Sequence, residues 1–290
     1  MTQPSKLDHK AIASLNKRQV RKLRVLDLFS GIGGFSLGLE RTGGFETVAF
    51  CEIEDFPRRV LAKHWPQVPC YDDVRTLTAD RLRTDGIAWV DVITGGFPCQ
   101  DLSVAGRRAG IEGSRSGLWS EITRLAGELR PSFILVENVA NLLSGPSEQP
   151  GQWFGRVLGD LASLGYDAEW HCIPAAAVGA PHSRDRVWLM AYPEQKQRVR
   201  AVFDADYEAE SLRAVTPQRR QDGLRSEVGT SGGSILGRWM DQPDPVGMAD
   251  GVSDWPHRLA ACGNAVVPQI PELIGRAILD SLATASSRAA

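Results

Sequence analysis

The stretch Arg24-Val25-Leu26-Asp27-Leu28-Phe29-Ser30-Gly31-Ile32-Gly33-Gly34-Phe35 decides the fold. Its first half is an apolar run of strand length, and residues 35–41 read as a short helix after the glycines. Glycines between a first strand and its helix let the backbone approach a ligand at the helix N-terminus. The spacing is not the G-x-G-x-x-G dinucleotide fingerprint, and an ordinary glycine turn would look the same. Outward from this unit, residues 47–51 read as a second strand and 56–65 as a second helix. Strands near 90–94, 133–137 and 186–191 follow, with helices near 117–129 and 152–164. This alternation predicts an α/β fold built on a doubly wound, mostly parallel sheet.

The pattern lapses over 193–250, which is polar and rich in Arg, Glu, Gly, Ser and Asp. It returns at 268–282, where Ile270, Leu273, Ile274, Ala277, Ile278 and Leu282 form an apolar stripe. The expected organisation is a basic N-terminal extension (1–23), a catalytic and cofactor-binding domain (24–192), a small inserted module (193–250) and a C-terminal segment (251–290) that rejoins the large domain. With 290 residues the chain can bury a sizeable core. Its 42% hydrophobic and 23% charged content is ordinary for a globular protein. No apolar stretch approaches membrane-spanning length, and the polar start lacks a secretory h-region. Five scattered cysteines without a C-x-x-C pair argue against a disulfide framework and against a metal site. The expectation is a cytoplasmic protein with reduced thiols. The net charge of −2 does not announce a nucleic-acid binder, but Arg107, Arg108 and Arg115 cluster against Glu112 alone.

Those arginines follow the turn Gly95-Gly96-Phe97-Pro98-Cys99-Gln100-Asp101-Leu102-Ser103. The glycines allow a sharp turn at the strand's end, and Pro98 fixes one dihedral before the thiol. Cys99 is thereby presented at a sheet rim, although a free cysteine is often a small buried hydrophobe. Glu137 follows four apolar residues, so burial should raise its pKa toward the range useful for proton donation. A helix cap or ion pair is the plainer reading of the same residue. Arg184 and Arg186 open a further strand and should project on one side of it, suiting carbonyl or phosphate recognition. Glu52 closes the second strand about 20 residues after the glycines, where an acid takes ribose hydroxyls. Asp73 is placed to accept from an adenine amino group. Together these describe a nucleoside rim, and S-adenosylmethionine suits it.

The order of these motifs closely resembles the C5-cytosine DNA methyltransferase family. The resemblance covers 24–192 and 258–283. It rests on Asp-Leu-Phe-Ser-Gly-x-Gly-Gly, Pro-Cys-Gln, Glu-Asn-Val, Arg-x-Arg, and Gly263-Asn264-Ala265-Val266-Val267-Pro268 before the last helix. It implies an S-adenosylmethionine-dependent enzyme acting on double-stranded DNA. Cys99 would add to C6 of a flipped cytosine, Glu137 would bond the N3 edge, and Arg186 would hold the O2 side with Arg184 assisting. Cofactor contacts would come from Asp27, Phe29, Ser30, Gly31, Gly33, Gly34, Glu52, Ile53, Asp73, Val74, Pro98, Asn264 and Ala265. Gln100, Ser103, Arg107, Arg108 and Arg115, on a loop that closes over the base, would meet DNA. Arg219, Arg220 and Arg225 of the inserted module would join them. The resemblance also implies a monomer working in a restriction-modification system, beside a cognate endonuclease.

Three other readings are weighed against it. A tRNA-methylating relative would carry Phe-Thr after its cysteine, whereas this chain has Gln100-Asp101. A non-catalytic DNA-binding regulator should lack Cys99 or Glu137, and both are present. A nicotinamide oxidoreductase is disfavoured by the glycine spacing. Two departures stand out: His182 occupies the place of a usual Gln, and Ile53 that of a frequent aromatic.

Overall fold

The computed structural model describes residues 21–97, 117–145, 149–180, 182–194 and 255–289. The basic extension before residue 21 and the module at 195–250 lie outside them. So do Pro98, Cys99, Gln100, Ser103, Arg107, Arg108, Arg115, Arg219, Arg220 and Arg225.

Seven strands form one sheet. They are β1 (Leu23–Leu28), β2 (Phe45–Cys51), β3 (Cys70–Tyr71), β4 (Val92–Gly95), β5 (Phe133–Val139), β6 (Tyr166–Pro174) and β7 (Asp185–Pro193). Their spatial order is β3-β2-β1-β4-β5-β7-β6. The first five run parallel, while β7 lies antiparallel to β5 and to β6. The chain builds outward from β1 toward β3, then crosses back to lay β4 on the other side of β1. Such a reversal opens a crevice at the strands' C-terminal ends.

The central strands read as continuous apolar runs because both their faces are covered. Val25, Val92, Phe133 and Leu135 pack on one side with Phe35 and Leu39 of α1 (Gly34–Arg41). Leu26, Leu28, Ile93 and Ile134 face the other side. There they meet α3 (Ala79–Thr84), α4 (Leu118–Leu129) and α5 (Gln152–Ser163). Helix α2 (Asp55–His64) follows β2. After the inserted segment the chain returns as α6 (Trp255–Asn264) and α7 (Gln269–Ala289). The stripe of α7 from Ile270 to Ile278 joins the same cluster as α1.

Glycines let α1 and the returning chain touch. A β-carbon on Gly34 would stand 2.5 Å from the carbonyl oxygen of Val266, and one on Gly38 would stand 2.1 Å from that of Pro268. The backbone of 266–268 therefore lies in a notch that no larger residue would leave open.

Several expectations change. The strand expected near 90–94 runs from Val92 to Gly95, and Trp89 before it turns outward beneath the guanidiniums of Arg24 (4.4 Å) and Arg21 (5.3 Å). Asp91 beside it accepts from Arg21 and from the Arg24 amide. Strand β6 is not among the expected strands: it lies at the sheet's edge, and Asp167 on one side and Trp170 and Cys172 on the other are exposed, so it lacks a buried apolar run. Helix α6 also went unread, since residues 250–258 carry little apolar pattern. The last helix runs on to Ala289, beyond the expected end at 282.

Candidate active site

A cleft of about 820 Å³ opens at the crevice beside β1 and β4. One end is built by the glycine turn and the end of β2. Phe29 and Gly31 adopt left-handed backbones, with φ of 53° and 52°. Nothing lies within 4 Å of where a Gly31 β-carbon would be, so the turn presents bare backbone to the cleft. Glu52 holds this turn with both carboxylate oxygens. Oε2 accepts the Gly31 N–H at 2.7 Å, and Oε1 accepts the Glu54 N–H at 2.9 Å. Ile53 stands 63% exposed beside it. Asp72, Asp73 and Val74 complete this end. Arg75 chelates both oxygens of Asp73, which holds that carboxyl below its ordinary pKa. The Phe29 ring, the exposed Ile53 and the carboxylates of Glu52, Asp72 and Asp73 fit an adenosine moiety.

The opposite end is built on β5 and β7. Arg186 lies across from Val139 in the antiparallel ladder, so its side chain reaches diagonally to Glu137. Arg186 Nε stands 3.0 Å from Glu137 Oε1. Burial pushes the Glu137 carboxyl above its ordinary pKa, against the opposing pull of Arg186 and Arg184. A β-carbon on Gly96 would sit 3.3 Å from Glu137 Oε2, so the glycine keeps that oxygen open to the cleft. Asn138 is buried and donates from Nδ2 to the Phe97 carbonyl at 3.3 Å. Phe97, which also lines the cleft, is the described residue nearest before Cys99. Of the described cysteines, Cys51 lines the cleft, but burial pushes its thiol up to about 12, so it stays protonated.

Several expected cofactor contacts lie elsewhere. Asp27 is fully buried and turned away from the cleft. Strand alternation puts it on the α1 face with Val25, where its Oδ2 accepts from Ser36 Oγ (2.8 Å) and its Oδ1 from Thr94 Oγ1 (2.7 Å). Burial raises its pKa to about 7, although both hydroxyls favour the ionised form. Ser30 points inward and cross-links β1 to β2, donating to the Asp27 carbonyl and accepting the Cys51 N–H. Gly33 and Gly34 pack behind the turn, against the Trp65 ring and Val266 respectively. Ala265 does not line the cleft, whereas Asn264 does.

The arginine pair also divides. Only Arg186 lies within β7. Arg184 precedes it at φ 34°, a left-handed value, so the two do not project as neighbours on one strand face. Both still line the cleft. Arg184 donates to the carbonyls of Gly263 (2.5 Å) and Ala265 (3.0 Å).

Sequence reasoning passed over Asn138 as a separate contributor, and over Trp65 with Glu40. Trp65 Nε1 donates to Glu40 Oε2 at 2.9 Å, and its ring braces Gly33. A polar residue inside an apolar strand was the available signal for Asn138; the Trp65 brace has no local signal.

The sequence profile of C-5 cytosine-specific DNA methylase matches residues 23–231. The Type II methyltransferase M2.BsuMI of Bacillus subtilis (strain 168) is 37% identical over 173 residues, covering 58% of this chain and 42% of that protein. M.Sau3AI of Staphylococcus aureus, also a Type II methyltransferase, is 33% identical over 201 residues, covering 64% and 47%. A solved prophage-encoded protein from E. coli, assigned to the DNA modification methyltransferases, superposes with a TM-score of 0.52 at 29% identity, covering 61% of this chain and 48% of its own. The chain thus spans about half the length of the relatives it matches. Among the described residues no helix is long and apolar enough to cross a membrane. With well over half of its length matched by one profile, on a sheet and cleft of the kind its motifs predict, the chain belongs to the C-5 cytosine-specific DNA methylase family.

Proposed function

We propose that the protein is a DNA (cytosine-5) methyltransferase that acts on a cytosine flipped out of duplex DNA. One observation carries this: a single cleft holds the Gly31–Glu52 turn at one end and the Glu137–Arg186 pair at the other. A nucleoside cofactor and a pyrimidine can therefore share one enclosure, and Phe97, which lines it, stands two residues before Cys99 in the chain.

C5 of cytosine is a weak nucleophile, so the Cys99 thiolate first adds to C6. Glu137, whose pKa burial raises, serves as the acid that gives a hydrogen bond or its proton to N3 and so takes up the electron density pushed into the ring. Arg186 orients Glu137 and holds the O2 side. S-adenosylmethionine, when bound, supplies the electrophilic methyl that C5 takes. Loss of the C5 proton then expels the Cys99 thiolate and restores the aromatic ring. Glu52 shapes the turn for the ribose and Phe29 packs on the adenine. Val74 and Asp73 serve its polar edge, with Asp73 shared by Arg75.

The domain division at 24–192, 193–250 and 251–290 belongs to the same proposal. In it, Gln100, Ser103, Arg107, Arg108 and Arg115 contact DNA near the flipped base, and Arg219, Arg220 and Arg225 serve site recognition. The protein works as a cytoplasmic monomer on double-stranded DNA, paired in function with a restriction endonuclease. The Type II relatives support that setting.

The test is transfer of label from tritiated S-adenosylmethionine to unmethylated duplex DNA, with bisulfite sequencing of the product. Wild type should label C5 of cytosine in a short, fixed context, and Cys99→Ser should not. Label absent from wild-type reactions, or retained in the variant, overturns the proposal.

A further inference from the structure

Arg184 sits beside the proposed base site, yet its guanidinium is already engaged. Nη1 donates to the Gly263 carbonyl at 2.5 Å and Nη2 to the Ala265 carbonyl at 3.0 Å. These two carbonyls flank Asn264, which lines the cleft together with His257, Ala260, Ala261 and Gly263. The acceptors come from a segment 79 and 81 residues away, where the chain has just returned to the sheet. The next three residues are fixed independently, because Val266–Pro268 lie in the Gly34 and Gly38 notch. Arg184 therefore holds the junction between α6 and that notch. Its backbone is also unusual, since φ of 34° is unfavourable for any residue but glycine. The chain tolerates this at a residue whose side chain reaches both carbonyls.

We propose that Arg184 is a positioning residue that clamps the two peptide carbonyls around Asn264, sets the C-terminal wall of the cleft, and so governs cofactor affinity rather than contact with the flipped base. This rests on the cofactor reading given above. A planar guanidinium suits the task because its forked N–H groups reach two acceptors at once, which a lysine ammonium does with far less geometric fixity. Arg186, facing Glu137, is left to serve the base.

The experiment measures S-adenosylhomocysteine binding by calorimetry, without DNA, for wild type, Arg184→Ala, Arg184→Lys and Arg186→Lys. Amide hydrogen exchange over 255–268 is followed in each, together with the melting temperature. Arg184→Ala should weaken binding by about tenfold or more, with Arg184→Lys between it and wild type. Both should speed exchange at Gly263–Ala265. Arg186→Lys should stay within about twofold of wild type. Unchanged binding and exchange in Arg184→Ala, with a fall only in turnover on DNA, overturns the proposal and returns Arg184 to the base. If the alanine variant does not fold, Arg184→Lys decides by the same two readouts. Failure of wild type itself to bind S-adenosylhomocysteine defeats the cofactor reading instead, and the exchange data still decide whether the clamp exists.

Discussion

Glu137 and Arg186 meet at 3.0 Å across the seam where the parallel part of the sheet becomes antiparallel. The carboxyl comes from β5 and the guanidinium from β7, on one face and two residues apart in register. The seam places a carboxyl and a guanidinium together at the C-terminal end of β5, beside Gly96.

Replacing Glu137 with Gln should lower methyl transfer by about a hundredfold or more, the usual contribution of a positioned acid. S-adenosylhomocysteine affinity should stay unchanged, because the cofactor end is built by other residues. Because burial raises the Glu137 pKa, wild-type turnover should fall as pH rises through that raised value. Pre-steady-state rates against pH check both statements. A Gln variant with a near-normal rate would remove the carboxyl from the chemistry.

Asp27 should make stability depend on pH. Its folded pKa of about 7 exceeds its ordinary value of 3.8, so the folded state binds the proton more tightly. The associated stability is full below about pH 4 and is lost as pH rises to about 7. Between pH 5 and pH 8 the loss should be about 3 kcal/mol. Asp27→Asn should flatten that slope. Urea unfolding of both proteins at the two pH values measures it, and parallel slopes would mean that Asp27 is ionised in the folded protein throughout.

Two glycines should fail in different ways. Gly38→Ala forces a methyl against the Pro268 carbonyl and should destabilise by about 1–3 kcal/mol. Gly31→Ala meets no atom, so its stability loss should be about 1–2 kcal/mol from the left-handed backbone alone. Its larger effect should be on cofactor affinity, because the methyl enters the cleft. Melting temperatures and calorimetry on both variants separate the two effects.

Glu52→Ala removes the acceptor for the Gly31 and Glu54 amides. S-adenosylmethionine binding should weaken by about 1.5–3 kcal/mol, the range for hydrogen bonds to a charged group. An unchanged dissociation constant by calorimetry would show that the turn keeps its shape without the carboxylate.

Local sequence patterns carried the elements whose burial is simple. β1, β4, β5 and β7 are apolar on both faces, and each could be read from a short window. β6 is exposed at Asp167, Trp170 and Cys172, so its sequence lacks the apolar run that marks the central strands. Phe29, Gly31, Glu52, Ile53, Asp73 and Val74 meet at one end of the cleft, as the motifs lead one to expect, but not every motif residue faces it. Asp27 and Ser30 stand in the motif but turn inward, and the parity shared by Val25 and Asp27 could have shown this for Asp27. The fate of Arg184 could not be read at all. Its partners are carbonyls far along the chain, and carbonyls leave no mark on residue type.

The glycine notch of α1 has one more consequence. Every described strand precedes residue 195, and the returning helices dock through backbone contact at Gly34 and Gly38 and through the buried face of α7. Covalent continuity through the inserted segment is not what holds that interface together. A polypeptide cut within 195–254 keeps the whole sheet on one fragment and the cleft's closing wall on the other. The surface between those two parts is the apolar face of α7 against α1 and the sheet.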